Sequence, residues 1–442
     1  MAAVFTVGGC TISVGAPSPN ASSPPDGGDG SVASNTGIDA SGEASAIDAP
    51  SSADASGSHD AGADAPGTPE AGPFVPATHP PWPQVPSNQG IVLKPMKLVT
   101  IVSSGDPLAT QLFAFGDALI ASHWWTSVSA EYGASATGGS VHVTGPSITQ
   151  NPDQTAMTSY IQSVIASSAA AAPNGNTMYM LYLPPNISAI DPVNGVNTSC
   201  QYFGGFHDIF DMTVNGADAW GVGQRCPLQG SGLTELQDLT ITGSHEILEA
   251  ATDPQPGLGW ALGAVDPMQP WTTPPTLVAP GGELGDLCLG TQWIEGSYMY
   301  QRIWSNAAAA AGGDPCLPAY PNAKYDNASS PQAWYKVTGG GSVDIPLTGF
   351  STGPTGDWAL EALLLSSTAS GFNPSITSAT SVVSPGGMTF STTNNGRMAK
   401  LTVTAPSIAS GSSAVFGIAS VAIGAPAAGD AYHLWTVGVY IP

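Results

Sequence analysis

Positive charge is what this chain has least of. Its 442 residues hold 8 Lys and Arg against 32 Asp and Glu, a formal net charge of −24, and only 9% of residues are charged. Such a surface repels phosphate backbones and anionic lipid, which argues against DNA or RNA as a partner. No apolar run reaches the roughly 18 residues that a membrane-crossing helix needs. A phosphate loop, a dinucleotide fingerprint and Cys-x-x-Cys are all missing, so the chemistry of those motifs has no foothold. Cysteine is scarce too, with five in the chain. Four of them, Cys200, Cys226, Cys288 and Cys316, fall in one stretch and read as two disulfides formed in an oxidising compartment. Nearest-neighbour pairing, Cys200 with Cys226 and Cys288 with Cys316, is preferred among three arrangements.

Cys10 stands apart from this set. Val7-Gly8-Gly9-Cys10 resembles a bacterial lipobox, whose cysteine receives lipid after cleavage. Met1–Gly9 has no basic residue and only a short apolar run, so residues 1–10 read as a truncated lipoprotein signal. Few lysines among many Ser, Thr, Gly and Asn suggest a bacterial protein that is extracellular or anchored at the outer membrane. Its expected partners are then an extracellular protein or a cell-surface polymer, with membrane contact only through a lipid on Cys10.

Residues 11–90 read as a disordered linker of Asp, Ala, Ser, Gly and Pro. Nine acids (Asp26, Asp29, Asp39, Glu43, Asp48, Asp54, Asp60, Asp64 and Glu70) and no base keep its front part extended. His59 and His79 read as solvated bystanders. From Ile91 short apolar runs alternate with helical patterns: a strand over 98–102, a helix over 107–122, a strand over 140–143, a helix over 153–172 and a strand over 178–183. This alternation predicts an α/β domain over 91–324. Beyond about Tyr325, short alternating runs punctuated by Gly, Pro and Asn-Asn-Gly predict an all-β, Ig-like sandwich over 325–442 that binds a surface polymer or steadies its neighbour.

The chemistry concentrates in Thr234–Pro254, where His245-Glu246-Ile247-Leu248-Glu249 lies in a helical pattern. Residues four apart share a helix face, so His245 and Glu249 point the same way, while Leu236, Leu239, Gly243 and Ile247 take the other side. Thr234 followed by Gln237 makes a capping box and Pro254 ends the run. Thr240-Ile241-Thr242 is a poor helix interior, which places the start near Gly243. A zinc hydrolase holds its metal with two side chains one turn apart and keeps a carboxylate beside the first as general base. On that pattern His245 and Glu249 bind and Glu246 takes the proton from a metal-bound water. Glu283 and Asp286, in the Gly-rich segment closed by Cys288, supply a third ligand. His207, in Gly204-Gly205-Phe206-His207-Asp208, is an additional site residue, a substrate-side donor or a satisfied core histidine, the structural role ranking first.

His-Glu-x-x-Glu, then Asp-Pro, then Glu-x-x-Asp-x-Cys resembles the exordium / phosphate-induced protein family and its bacterial extracellular relatives. Phe203-Gly204-Gly205-Phe206-His207 and Gln301-Arg302-Ile303-Trp304-Ser305-Asn306 add to the likeness, which covers about residues 95–320. The resemblance implies a zincin-like α+β/α/β metallohydrolase domain with its metal on His245, Glu249 and the Glu283/Asp286 pair. The expected function is a secreted or lipid-anchored zinc hydrolase, a peptidase for preference. A non-enzymatic surface protein with a structural zinc or calcium site is the alternative.

Overall fold

The structure, a computed structural model, describes residues 74–190, 204–213, 216–226, 233–262, 282–321, 324–355, 358–367, 369–378, 388–390, 395–407, 410–422 and 432–442. Cys10, most of the expected linker and Cys200 lie outside these residues.

The first sheet has five strands: β1 (Lys97–Ser103), β2 (Val141–Gly145), β3 (Thr177–Tyr182), β4 (Gly205–Thr213) and β5 (Gly216–Gly223). They run in the order β2-β1-β3-β5-β4, parallel except for β4, which lies antiparallel to β5 at the edge. Side chains of successive residues alternate between faces. Leu98, Val102, Met178, Met180 and Tyr182 accordingly join one buried cluster with Leu112 and Phe115 of α1 (Ala109–Ala121). Val99, Ile101, Tyr179 and Leu181 join a second cluster on the opposite face with Met157, Ile161 and Val164. Those three lie on α3 (Gln154–Ser167), which follows the short α2 (His123–Ser129).

The helix that carries the chemistry, α4 (Glu235–Thr252), packs on the β3, β5 and β4 side of this sheet. Its capping box is present: the Thr234 hydroxyl accepts from Gln237 N–H, and the Gln237 side chain accepts from Thr234 N–H at 2.8 Å. The helix begins at Glu235 rather than near Gly243, so the expected late start is corrected. The Thr240 and Ser244 hydroxyls bond back to Gln237 and Ile241 carbonyls and also accept N–H groups from β7 (Tyr298–Gln301), of Met299 and Gln301 respectively. Tertiary docking on these hydroxyls overrides their weak intrinsic preference for helix. From Gly243 to Thr252 the helix is buried on every side, where one apolar face alone was expected.

Strand β7 forms a hairpin with β6 (Gln292–Glu295), and β8 (Ile303–Trp304) pairs with β9 (Cys316–Leu317) around α5 (Asn306–Ala310). The disulfide Cys288–Cys316 ties the segment carrying Asp286 to β9. Cys226 is also disulfide-bonded, and its expected partner Cys200 is outside the described residues.

The remaining strands are β10 (Asp326–Ser329), β11 (Trp334–Lys336), β12 (Ser342–Ser351), β13 (Trp358–Ser367), β14 (Asn373–Ser378), β15 (Met388–Phe390), β16 (Met398–Thr404), β17 (Ser413–Ala422) and β18 (His433–Tyr440). They make two sheets, β10-β12-β16-β14 and β11-β18-β17-β13-β15. Ile345, Leu347, Leu401 and Val403 of the first meet Leu360, Phe416, Ile418, Trp435 and Val437 of the second in a common core.

This architecture corrects the expected zincin-like α+β/α/β class. Among the described residues, eighteen strands in five sheets stand against five α-helices, so the chain is predominantly β. Two physical causes account for the difference. Gly205, Gly216, Gly221 and Gly223 interrupt the segment 205–223 and weaken its strand signal, yet it supplies β4 and β5. The expected helix over 153–172 stops at Ser167. The chain also packs before Ile91: Val85 is buried, and Trp82 meets Trp304, Tyr325, Phe350 and Trp435 with ring centroids 5.3 to 5.9 Å apart. His79, expected to be solvated, stacks on Phe350 at 4.1 Å.

Candidate metal centre

One helix turn puts His245 and Glu249 side by side, with His245 Nε2 2.9 Å from Glu249 Oε2. The opposite ring nitrogen decides what that contact is. Gln301 Nε2 donates to Gly285 O at 2.6 Å, which turns the amide oxygen toward the ring, and His245 Nδ1–H donates to it at 3.0 Å. A neutral ring protonated at Nδ1 carries its lone pair on Nε2. Nε2 makes no hydrogen bond, although a carboxylate oxygen is close by. Two lone-pair atoms at this distance converge on a cation, and without one the ring must hold a second proton in its place. Asp286 Oδ1 lies 3.9 Å from the same nitrogen and completes one set of three.

A second imidazole enters from the edge strand. His207 of β4 lies opposite Gly221 of β5, on the side facing α4. A Cβ on Gly221 would stand 3.5 Å from both Glu246 Cβ and His207 Cβ and 2.8 Å from the Met178 methyl, so glycine there keeps the pocket open. His207 Nε2–H donates to the Asp253 carbonyl at 3.1 Å. Nδ1 hydrogen-bonds with Glu246 Oε2 at 3.3 Å and lies 3.9 Å from Glu249 Oε2. Glu283 Oε1 lies 3.5 Å from the ring at Nε2. His207, Glu249 and Glu283 thus form a second set of three.

Within either set the ligand atoms lie within 4.8 Å of one another, so these buried groups can hold a metal ion. Glu249 belongs to both. Its Oε1 accepts the Gly285 N–H at 3.0 Å and the Asp286 N–H at 3.3 Å, which fixes the carboxylate and leaves Oε2 toward the two rings. Gly285 lies so close that a Cβ there would stand 2.6 Å from His245 Nδ1 and 2.7 Å from Glu249 Oε1.

The electrostatics suit a cation. Glu246, Glu249, Asp253 and Glu283 are buried, as are His207 and His245, and the Asp286 side chain is 17% exposed. With every acid ionised the cluster would carry surplus negative charge even against two charged rings, which is costly in a low-dielectric interior and is offset by protons or by a cation. Burial lowers His245, but Glu249, Glu246 and Asp286 together outweigh it and push the ring up to about 10. His207 is likewise lowered by burial and raised by Glu246, ending at about 9. Asp286 is pushed up to about 7 by burial and the Glu249 charge. Burial lifts Glu246 and, with the Glu249 charge, lifts Glu283 well above the usual carboxylate range. Burial acts the same way on Glu249, but His245 outweighs it and holds this acid low.

The structure therefore brings His245, Glu249, Glu246, Glu283 and Asp286 together, and it separates the last two. Asp286 serves His245, while Glu283 faces His207. His207 itself is buried among acids. Sequence reasoning gave no orienting role to Gln301, which holds His245, or to Asp253, whose carbonyl holds His207. Asp253 stays in place because its carboxylate accepts the N–H groups of Gly257, Leu258 and Gly259. The signal for Gln301 was its place beside Arg302. The buried Arg302 guanidinium bonds the Pro318 and Cys316 carbonyls and Asp314, and so anchors the loop closed by the disulfide. A cavity of about 220 Å³, lined by Asn88, Gln89, Asp253, Gln255 and Leu258 among others, opens at the C-terminal end of α4.

No family model matches the chain, and no curated protein matches it. Two solved structures are similar over part or all of their length. Domain 1 of VCBP3 from Branchiostoma floridae is 9% identical with a TM-score of 0.18, covering 27% of this chain and 97% of that one. A nucleoside hydrolase-related hypothetical protein from Saccharophagus degradans, associated with carbohydrate metabolism, is 10% identical with a TM-score of 0.25, covering 80% and 100%. Likeness at this level assigns neither fold nor function.

Proposed function

We propose that this chain is a metal-dependent hydrolase of the peptidase type, secreted or lipid-anchored through Cys10, with zinc on His245, Glu249 and Asp286. The observation that carries the proposal is the convergence of three ligand atoms on one point, with Glu246 next in sequence to the first of them. Zinc, when bound, polarises a carbonyl and acidifies water. Glu246 receives the proton of the attacking water and returns it to the leaving amine. Burial supports that role, because a carboxyl raised toward neutrality exchanges protons more readily at working pH than a surface glutamate does. Gln301 and the Gly285 N–H hold His245 and Glu249 in register, and Asp286 reaches solvent at the side where a substrate can arrive. The disulfide supports an oxidising compartment. Kinship with the exordium-like proteins belongs to the same proposal, on the motif residues alone.

The test is Glu246→Gln in the full-length chain, assayed against a peptide library. The metal should remain bound while turnover drops by at least about a hundredfold, within the range that a general base contributes. Unchanged turnover in that variant would remove Glu246 from the chemistry.

One observation favours a second reading. His207, Glu246, Glu249 and Glu283 are each no more than 4% exposed, as in a closed structural site for zinc or for an oxygen-preferring ion such as calcium. Recognition of a surface polymer then falls to the two-sheet region. In that case no hydrolysis is found with any substrate, and Glu246→Gln changes stability alone.

A further inference from the structure

We infer that the site holds two divalent cations, the second bound by His207, Glu249 and Glu283, with Glu249 bridging the pair. Three observations carry this. The ligand atoms of His207, Glu249 and Glu283 lie within 4.8 Å of one another, as do those of His245, Glu249 and Asp286. Glu283 is fully buried beside the Asp253 carboxyl and the His207 ring, and neither of its oxygens makes a well-formed hydrogen bond. An ionised carboxyl this deep is costly without a counter-charge, which an ion shared with Glu249 and His207 supplies. The Asp253 carbonyl also fixes the His207 ring through Nε2 and leaves Nδ1 toward Glu246 and Glu249, the outer-shell arrangement of a metal-binding imidazole.

Glu249 is built to serve both ions. Backbone N–H groups pin Oε1, while Oε2 stands 2.9 Å from His245 Nε2 and 3.9 Å from His207 Nδ1. The acids divide by position, Asp286 to one imidazole and Glu283 to the other, which a single three-ligand site leaves unexplained. Paired cations clamp a substrate oxygen from two sides and suit hydrolysis of a carbonyl or phosphoryl bond. This inference rests on the proposed hydrolytic site only through the shared Glu249.

The experiment is a metal count on the chelator-stripped full-length protein, dialysed to equilibrium against zinc. The wild type should saturate at two ions per chain. Glu283→Gln, nearly isosteric, and His207→Ala should each retain one. Asp286→Asn should also retain one, and Glu249→Gln should weaken both. In manganese-loaded wild type, the electron paramagnetic resonance spectrum should show an exchange-coupled pair. Saturation of the wild type at one ion or none overturns the inference, whether or not any variant folds. So does retention of two ions by Glu283→Gln, or an uncoupled manganese spectrum. A single ion lost in Asp286→Asn but kept in Glu283→Gln removes the second site and leaves the hydrolytic reading standing. A single ion with the opposite dependence removes the His245 site and moves the one-ion centre to His207.

Discussion

The interior beneath α4 and the interior between the two later sheets are built on opposite terms. The first buries four carboxyls and two imidazoles, and its packing leaves Glu283 and His245 Nε2 without well-formed hydrogen bonds. The second is filled by Phe350, Phe416, Ile418, Trp435 and Val437, its buried polar side chains being Asn327, several serines and His433. One interior draws its stability from apolar area removed from water. The other buries carboxyls at a cost that a cation would offset. Substitutions should therefore separate them, those in the sandwich acting on stability and those under α4 acting on metal affinity.

The largest expected effect is in the apolar interior. Trp435→Ala should cost about 3–5 kcal/mol of unfolding free energy, the usual range for deleting a buried large aromatic. The zinc affinity of the folded fraction should be unchanged. Denaturant titration and isothermal calorimetry together check this, and a large loss of affinity would show that the two interiors are not separable.

The disulfide stands between the two regimes. It closes a loop spanning 28 positions, and losing a crosslink of that reach costs about 3 kcal/mol by loop entropy. Because Cys288 follows Asp286 by two residues, Cys288→Ala should also weaken metal binding, which chemical unfolding with and without zinc measures.

A smaller effect is expected at Gln301. Gln301→Leu removes the acceptor that fixes the His245 ring, and should lower zinc affinity about 10–100-fold with the ligands intact. Calorimetric titration reads this directly. An unchanged affinity would mean that the ring is held by packing alone.

The pH dependence has the clearest sign. The folded, metal-free chain holds His245 at about 10 and Asp286 at about 7, both above their ordinary values of 6.5 and 3.8. The folded form therefore binds more protons than the unfolded form at neutral pH, so these groups favour folding at low pH. The Asp286 contribution is complete below pH 3.8 and is lost as pH rises through about 7. The His245 contribution is complete below 6.5 and is lost through about 10. Glu249, held low, works the other way over the acidic range. The stripped protein should thus melt at lower temperature as pH is raised from 6 to 9, whereas zinc, which displaces those protons, should stabilise it more as pH rises. Melting curves across that interval test both signs.

Much of the centre was legible before any fold was known. The spacing of His245 and Glu249 needed only helical geometry, and Thr234 with Gln237 marked the true start of α4. What misplaced that start was the propensity of Thr240 and Thr242, because nothing local announces that hydroxyls on the helix will receive the N–H groups of β7. The two strands over 205–223 were missed for a related reason. Gly221 and Gly223 are small because side chains from β3 and α4 fill the space beside them, a long-range requirement that looks like a loop when read locally. With β4 unrecognised, His207 had no address, and the division of Glu283 and Asp286 between two histidines was out of reach.

The central claim is that imidazole and carboxylate ligands from α4, β4 and the Glu283–Asp286 segment enclose a divalent cation. X-ray absorption on the zinc-loaded full-length chain tests it most directly. The account predicts nitrogen and oxygen ligands only, with imidazole outer-shell scattering that diminishes in His245→Ala. Sulfur in the first coordination shell, or a spectrum identical in the two proteins, would contradict it.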